Sequence, residues 1–162
     1  FTILYHINFG FPLLSEHSEV FVQSTKFQAY DDYSQEHVDE IYSFKKPSGE
    51  NFEKNYWHVF DKEKQSVYAV IYNRSLMGGL GVYIKFDPNV LPYLTHWKLE
   101  DELDYVLALE PANTFCYSRN KLREKGYLPI IKSHEEVKMK VEIGILEDNN
   151  KVDELLKSIG GI

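Results

Sequence analysis

The sequence predicts an all-β protein that has one short helix at its C-terminal end. Short runs of strand-like composition recur along the 162 residues, and several of them alternate apolar with polar side chains. One apolar pattern near the end has the spacing of a helix instead. Many short strands with a single terminal helix are typical of an antiparallel β-sandwich. The strand-like runs are residues 2–9, 19–27, 56–60, 66–73, 81–86, 93–98, 105–110 and 137–146.

The last two elements have the clearest patterns. In residues 137–146, apolar side chains alternate with lysine, glutamate and glycine, which indicates a half-buried strand. In residues 151–159, the apolar residues follow helical spacing. Asn149 or Asn150 is expected to cap the start of this helix, and Gly160 lies just past its end.

The composition limits the classes of function. The chain has 18 Lys and Arg against 25 Asp and Glu, a net charge of −7, so most of its surface should repel nucleic acid. Aromatic residues make up 15% of the chain; they favour strands and also supply flat surfaces for stacking on sugars. A chain of this length predicts one domain over residues 1–162.

The cysteine content and the apolar runs predict a cytoplasmic protein without membrane contact. Cys116 is the only cysteine, so an internal disulfide is impossible and a disulfide-stabilised secreted fold is excluded. No apolar run approaches the length of a membrane-spanning helix, and the chain opens with a strand pattern at Phe1 rather than a leader.

No metal or cofactor motif emerges from the sequence. The glycines of residues 78–81 have no lysine or helix after them, so they predict a hairpin turn and not a phosphate loop. The histidines lack the spacing of a zinc motif, and we expect neither a metal nor a cofactor.

Polar residues 31–40 fit either a loop or a short helix.

His6 and Glu110 form the most informative pair of residues. Alternation along the first run places His6 and Asn8 on its more polar face. Glu110 comes near the end of another run, where Pro111 is expected to end the strand because proline cannot donate a hydrogen bond to the next ladder position. The sequence thus offers a potential acid and a potential base near strand ends.

Four blocks of the sequence, in order, resemble the aldose 1-epimerase (galactose mutarotase-like) superfamily, in particular its branch of uncharacterised aldose epimerase-like proteins. They cover nearly the whole chain, which is more specific than any single motif. The blocks are YHINFGFPLL (residues 5–14), LPYLTHWK (91–98), DYVLALEPAN (104–113) and VEIGIL (141–146).

The resemblance implies a large twisted antiparallel β-sandwich that interconverts sugar anomers without a cofactor. Glu110 would be the base and His6 the acid. Domains of that superfamily are considerably longer, and the segment resembling the His6 strand usually lies near their middle. We therefore expect this chain to be the C-terminal half of such a sandwich. Because its sheet edges would be unpaired, we expect a homo-oligomer or association with an N-terminal half.

Five further residues are candidates for substrate binding. Asn8 could orient His6 or reach a sugar hydroxyl, although it could equally serve as a turn former before the following glycine. His96 and Lys98 share one side of their strand and could contact hydroxyls or an anionic group, whereas Trp97 is expected in the core. His58 is a weaker candidate, because a histidine flanked by aromatic residues more often packs in a sandwich than contacts a ligand. Arg119 could meet an anionic group on the sugar, and a solvated loop arginine is the alternative.

Two alternatives to the mutarotase hypothesis stay open at this point. The family's ligand-binding arginine, normally supplied by the N-terminal half, has no assignable counterpart here. The chain could therefore be a non-catalytic carbohydrate-binding module on the same fold. It could also be an isomerase of another sugar derivative that uses the same pair of groups. The expected ligand is in each case a monosaccharide or a sugar derivative.

Overall fold

The computed structural model describes residues 1–49 and 52–162 and consists of two antiparallel β-sheets with short helices around them. The predicted all-β class with a short C-terminal helix is confirmed. The strands are β1 (Ile7–Phe9), β2 (Ser18–Val22), β3 (Lys26–Ala29), β4 (Lys54–Val59), β5 (Val67–Asn73), β6 (Leu80–Phe86), β7 (Tyr93–Glu100), β8 (Tyr105–Ala112) and β9 (Val141–Leu146). The α-helices are α1 (Asp32–Glu36), α2 (Arg119–Glu124) and α3 (Asn149–Ile159), and a 3₁₀ turn spans Val38–Glu40.

The two sheets enclose the main hydrophobic core between them. One sheet has the order β1-β8-β7-β4-β3 and the other the order β2-β5-β6-β9. Buried apolar side chains of both sheets belong to one cluster, in which Leu94 and Leu109 of the first sheet pack with Ile71 and Ile84 of the second. Burial of such side chains from water stabilises the sandwich.

The predicted strand over residues 19–27 is wrong in one respect, because the chain changes sheets within it. The Gln23 N–H donates to the carbonyl of Tyr68 in one sheet, whereas the Thr25 N–H donates to the carbonyl of Val59 in the other. The run therefore divides into β2 and β3. Apolar alternation alone cannot reveal such a crossing, since it reports only which side chains share a face.

Pro111 does not end its strand, contrary to the prediction. The strand β8 continues through it to Ala112, and the Pro111 carbonyl accepts a hydrogen bond from the Tyr5 N–H at 3.0 Å. Because proline has no N–H, it cannot donate a hydrogen bond back to Tyr5. This missing bond accounts for the shortness of β1, which begins only at Ile7, while Leu4 makes an isolated bridge to Ala112.

The C-terminal helix α3 packs on the outer face of the four-stranded sheet. Its buried residues Val152 and Leu156 join a cluster with Val70 of β5. The N-cap is Asp148, whose carboxylate accepts from the Lys151 N–H at 2.9 Å, and not Asn149 or Asn150 as expected. Gly160 follows the helix with a positive φ of 78°, as the pattern predicted.

The other helices are short. In residues 31–40, which the sequence left undecided, Asp31 caps α1 by accepting from the Ser34 N–H at 2.7 Å. The sequence did not predict α2, which Ser118 caps. None of the helices in the described part of the chain is long and apolar enough to span a bilayer.

A buried cluster of charges joins the strands at one end of the five-stranded sheet. Lys54 Nζ lies 2.8 Å from Glu100 Oε2 and 3.0 Å from Glu40 Oε2, and Lys98 Nζ lies 3.2 Å from Glu100 Oε2. Lys98 also donates to the carbonyls of Glu40 and Ser43. Burial raises the pKa of Glu100, but the neighbouring Lys98 and Lys54 outweigh this effect and lower it. The ion pairs thus hold Glu100 in its charged form.

Glu100→Gln should strongly destabilise the fold. The substitution removes the carboxylate that compensates the buried ammonium groups of Lys54 and Lys98, and breaking a buried pair costs about 3–5 kcal/mol. Urea denaturation would measure the loss, with exposed Glu147→Gln as the matched control. Equal unfolding free energies for the two variants would contradict the assigned role of Glu100.

The strand β9 leaves an apolar strip exposed. Ile143 lies opposite Ile84 and Ile145 opposite Val82, so both point to the side of the sheet that faces the core. They are nevertheless 55% and 68% exposed. Within the described residues, β9 pairs only with β6, so its other edge is open. An open edge beside an apolar strip favours association with another chain.

We expect this strip to mediate self-association, and Ile145→Lys should reduce it. A charge on the open edge disfavours strand pairing without disturbing a buried side chain. Light scattering at micromolar concentration would measure the associated fraction. The control is Ile162→Lys, a substitution at a similarly exposed isoleucine (66%) outside the sheet. A wild-type chain that stays monomeric would contradict the expectation.

Candidate active site

The structure brings His6 and Glu110 into direct contact. The register of β1 with β8 pairs Ile7 with Leu109, and its continuation to the Leu4–Ala112 bridge sets His6 opposite Glu110. His6 Nε2 lies 2.9 Å from Glu110 Oε1. Two residues more than a hundred positions apart therefore meet as cross-strand neighbours.

The two side chains differ in their access to solvent. The side chain of Glu110 is only 6% exposed, whereas that of His6 is 55% exposed. Burial raises the pKa of Glu110, and the charge of His6 acts in the opposite direction. A carboxylate whose pKa is raised is a stronger base than a carboxylate in water. The pair therefore places a strengthened base in contact with an exposed imidazole.

An open cleft of about 210 Å³ lies against this pair. Thr95 lies opposite Glu110 on the neighbouring strand β7. Asn55 contributes an amide whose oxygen is buried and has no hydrogen-bond partner among the described residues. The residues that line the cleft are Leu4, His6, Asn55, Thr95, Trp97, Glu110 and Cys116. The cleft thus combines a base, a potential acid, an unpartnered acceptor and an indole ring.

The orientation of β7 is the reverse of the expected one. Trp97, expected in the core, lies on the cleft side, with its ring 6.4 Å from the His6 ring in an edge-to-face arrangement. His96 and Lys98, expected near the ligand, point into the sandwich and are fully buried. The sequence therefore predicted correctly which side chains of β7 share a side. The prediction of which side faces the second sheet was wrong.

Two of the candidate histidines stack on each other between the sheets. The ring centroids of His58 and His96 are 5.6 Å apart with an angle of 18° between the planes. Ser24 Oγ lies 2.9 Å from His58 Nδ1. Burial lowers the pKa of His58 to about 3 and lowers that of His96 well below its usual value. Both rings are therefore uncharged and lie away from Glu110, so we leave them out of the site, together with Lys98.

Asn8 and Arg119 are exposed, and neither lines the cleft. Asn8 lies two positions from His6 on the same side of β1, opposite Ala108 of β8. Arg119 starts α2, after the segment that follows β8. Of the two, Asn8 is placed where it could approach a ligand bound at His6.

The first residues are held in place by Asn113. Its side-chain Oδ1 accepts from the Ile3 N–H at 2.8 Å, and its own N–H donates to the Ile3 carbonyl at 3.2 Å. These bonds continue the contact between the N-terminal segment and the end of β8 past Pro111, where one hydrogen bond of the ladder is missing. They fix the segment from which His6 projects.

Sequence reasoning missed Asn55, Thr95 and Cys116 as residues of the cleft. The predicted strand began at residue 56, one residue after Asn55. Extending its alternation back from Trp57 would have placed Asn55 and Trp57 on the same side of the strand. Burial raises the pKa of the Cys116 thiol, and the charge of Glu110 raises it further. The site thus disfavours the thiolate, so Cys116 is a wall residue and not an activated nucleophile.

Comparisons with known proteins relate the chain to one family and one solved fold. The family model described as "Domain of unknown function (DUF4432)" matches residues 1–145. The structure resembles the crystal structure of a protein from Klebsiella pneumoniae subsp. pneumoniae MGH 78578 described as a putative aldose 1-epimerase, with a TM-score of 0.87 and 24% sequence identity. No curated protein matches the chain.

That similarity covers 99% of this chain and 42% of the Klebsiella chain. The chain therefore spans less than half the length of that protein, which fits the expected correspondence to half of a longer sandwich. At this level of identity the comparison shows the fold. It confirms the predicted resemblance to the aldose 1-epimerase-like β-sandwich.

His6→Gln should raise the pKa of Glu110 further. The substitution keeps a hydrogen-bonding side chain but removes the positive charge that lowers this pKa, so only the raising effect of burial remains. Carbon-13 NMR titration of the Glu110 carboxyl group would measure the change, with exposed His17→Gln as the control. A Glu110 pKa that is unchanged or lower in the His6 variant would contradict the coupling.

Proposed function

Because the chain belongs to the DUF4432 family and has an aldose 1-epimerase-like fold, we propose that it interconverts the anomers of a sugar by acid–base ring opening. The observation that carries this proposal is the contact between His6 and Glu110 in an open cleft. The reaction needs a base at the anomeric hydroxyl and an acid at the ring oxygen. A carboxylate and an imidazole on adjacent strands supply both.

The proposed reaction proceeds by two proton transfers. Glu110 takes the proton from the anomeric hydroxyl, the C1–O5 bond of the sugar breaks, and protonated His6 donates its proton to the ring oxygen. The resulting open-chain aldehyde rotates about the C1–C2 bond. Closure on the other face of the carbonyl reverses both transfers and restores the two side chains. The reaction is redox-neutral and the two side chains perform both proton transfers, so we propose that it requires no cofactor or metal.

Other residues of the cleft could hold the sugar. The Asn55 amide oxygen can accept a hydrogen bond from a hydroxyl, which would satisfy its unpartnered acceptor. Trp97 offers an indole ring beside His6, a surface suited to the apolar face of a pyranose. Thr95 lies opposite Glu110 and can bond a neighbouring hydroxyl. We propose a neutral monosaccharide or sugar derivative as the ligand.

The amino-acid composition guides the partners and the location that we propose. A net charge of −7 disfavours nucleic acid as a partner, and recognition through hydroxyl bonds and stacking should tolerate salt. The single cysteine favours a cytoplasmic location. An N-terminal half or a second copy of the chain is the proposed protein partner.

A carbohydrate-binding module is the second candidate function. Among the described residues that line the cleft there is no lysine or arginine, so any cation for the ligand would have to come from elsewhere. A cleft without a cation in its lining is consistent with a site that binds sugar but lacks complete catalytic machinery. Isomerisation of another sugar derivative by the same pair is a third possibility, which a panel of sugars would separate from the first.

Glu110→Gln should abolish anomerisation and leave the fold intact. The amide keeps the shape of the side chain but cannot accept the anomeric proton, and general acid–base groups contribute about 10²–10⁴-fold to rate. Exchange NMR on a panel of α- and β-sugars would measure anomerisation, with Glu147→Gln as the matched control. Circular dichroism would verify folding.

The outcomes of this test separate the two functions. Loss of exchange in the Glu110 variant, with sugar binding retained, supports the mutarotase. Sugar binding without exchange in the wild-type chain supports the binding module. Exchange at an unchanged rate in the Glu110 variant removes this residue from the mechanism.

A further inference from the structure

Two further clefts lie on the same face of the five-stranded sheet as the His6–Glu110 cleft. Their volumes are about 260 and 160 Å³. Both share one wall, formed by Gln28, Trp57, Phe115 and Tyr127. We call the aromatic side chains Trp57, Phe115, Tyr117 and Tyr127 the aromatic shelf.

Trp57 of the shelf lies in one row with Glu110 across the sheet. Glu110 is opposite Thr95, Thr95 is opposite Trp57, and Trp57 is opposite Gln28. Adjacent strands are about 4.8 Å apart, so Trp57 lies about 10 Å from Glu110. This separation exceeds one pyranose ring and corresponds to two linked rings.

The shelf is continuous with the proposed catalytic cleft. The ring centroids of Trp57 and Phe115 are 5.1 Å apart, and those of Phe115 and Tyr127 are 5.4 Å apart. Phe115 directly precedes Cys116, which lines the His6–Glu110 cleft. A ligand can therefore extend from Glu110 over Thr95 of β7 and onto the shelf.

Polar groups surround the shelf in the way that sugar hydroxyls require. Lys26 lines one of the two clefts, Lys125 lines the other, and Gln28 lines both. The indole N–H of Trp57 is buried and has no hydrogen-bond partner among the described residues. Tyr127 is 50% exposed, although aromatic rings of this size gain from burial. An apolar ring face bordered by donors matches a second sugar ring.

We propose that the shelf binds a second sugar ring, so that the ligand is a reducing disaccharide or a longer oligosaccharide. The ring that carries the free anomeric hydroxyl occupies the His6–Glu110 cleft, and the next ring stacks on the aromatic shelf. This inference rests on the proposed function for the position of the first ring. It assigns the neighbouring ring to Phe115 and Tyr127, and the buried Trp57 (3% exposed) supports them by packing against Phe115.

The test compares disaccharide and monosaccharide binding in the wild-type chain and in Tyr127→Ala. NMR titration with cellobiose and maltose should show affinities at least about fivefold tighter than with glucose, which is a typical gain from one aromatic contact. Tyr127→Ala should remove this difference and leave glucose affinity unchanged. Phe52→Ala is the matched control, because Phe52 is exposed (68%) and lines none of these clefts.

Several outcomes would overturn the inference. Equal affinity for disaccharides and glucose, or a disaccharide preference that survives Tyr127→Ala and Gln28→Ala, removes the second ring from the shelf. A gain as large with glucose 6-phosphate would assign the clefts of Lys26 and Lys125 to an anionic substituent instead.

The failure of this inference is distinguishable from the failure of the proposed function. Anomerisation that depends on Glu110, without any disaccharide preference, leaves the mutarotase and overturns the second ring. A disaccharide preference that depends on Tyr127, without anomerisation of any sugar, supports the second ring and overturns the mutarotase.

Discussion

The pairing of β8 with a strand on each side is the constraint on which the candidate site depends. Pairing with β7 sets Glu110 opposite Thr95, and the register with β1 sets His6 opposite Glu110. Pro111 limits the second pairing, because it has no N–H to donate to Tyr5. The ladder therefore lacks one bond beside His6. Because His6 precedes the edge strand β1 and Glu110 lies on β8 between two neighbours, His6 is exposed while Glu110 is buried.

Titratable side chains lie in different environments on the two faces of the five-stranded sheet. On the inner face, burial keeps His58 and His96 uncharged, and ion pairs hold Glu100 charged beside Lys98. His58, His96 and Glu100 therefore each have one stable protonation state near neutral pH, whereas burial lowers the pKa of Lys98 to about 8. On the outer face, Glu110 is buried but borders an open cleft, so its proton can be exchanged with a ligand. This face therefore combines a titratable carboxyl group with access for a ligand, which acid–base chemistry requires.

The outer face also arranges residues of the two proposed ligand-binding regions along one line. Antiparallel pairing places Glu110, Thr95, Trp57 and Gln28 in one row, with a regular spacing set by the sheet. The segment after β8 then folds Phe115 over this row. The sheet therefore fixes both the position of Glu110 and its distance from the aromatic shelf.

The sequence by itself determined the all-β class, most of the strands and the C-terminal helix, because alternation and helical spacing are local signals. The resemblance of four sequence blocks to one superfamily pointed to His6 and Glu110, which the structure brings into contact. Only the tertiary structure decided that residues 19–27 cross between sheets, that β8 passes through Pro111, and that Trp97 faces the cleft while His96 faces the core. The side chains of β7 are mixed on both faces, so alternation shows which ones share a side but not which side is buried. That choice depends on the pairing of distant strands and on packing against the second sheet, neither of which a local pattern contains.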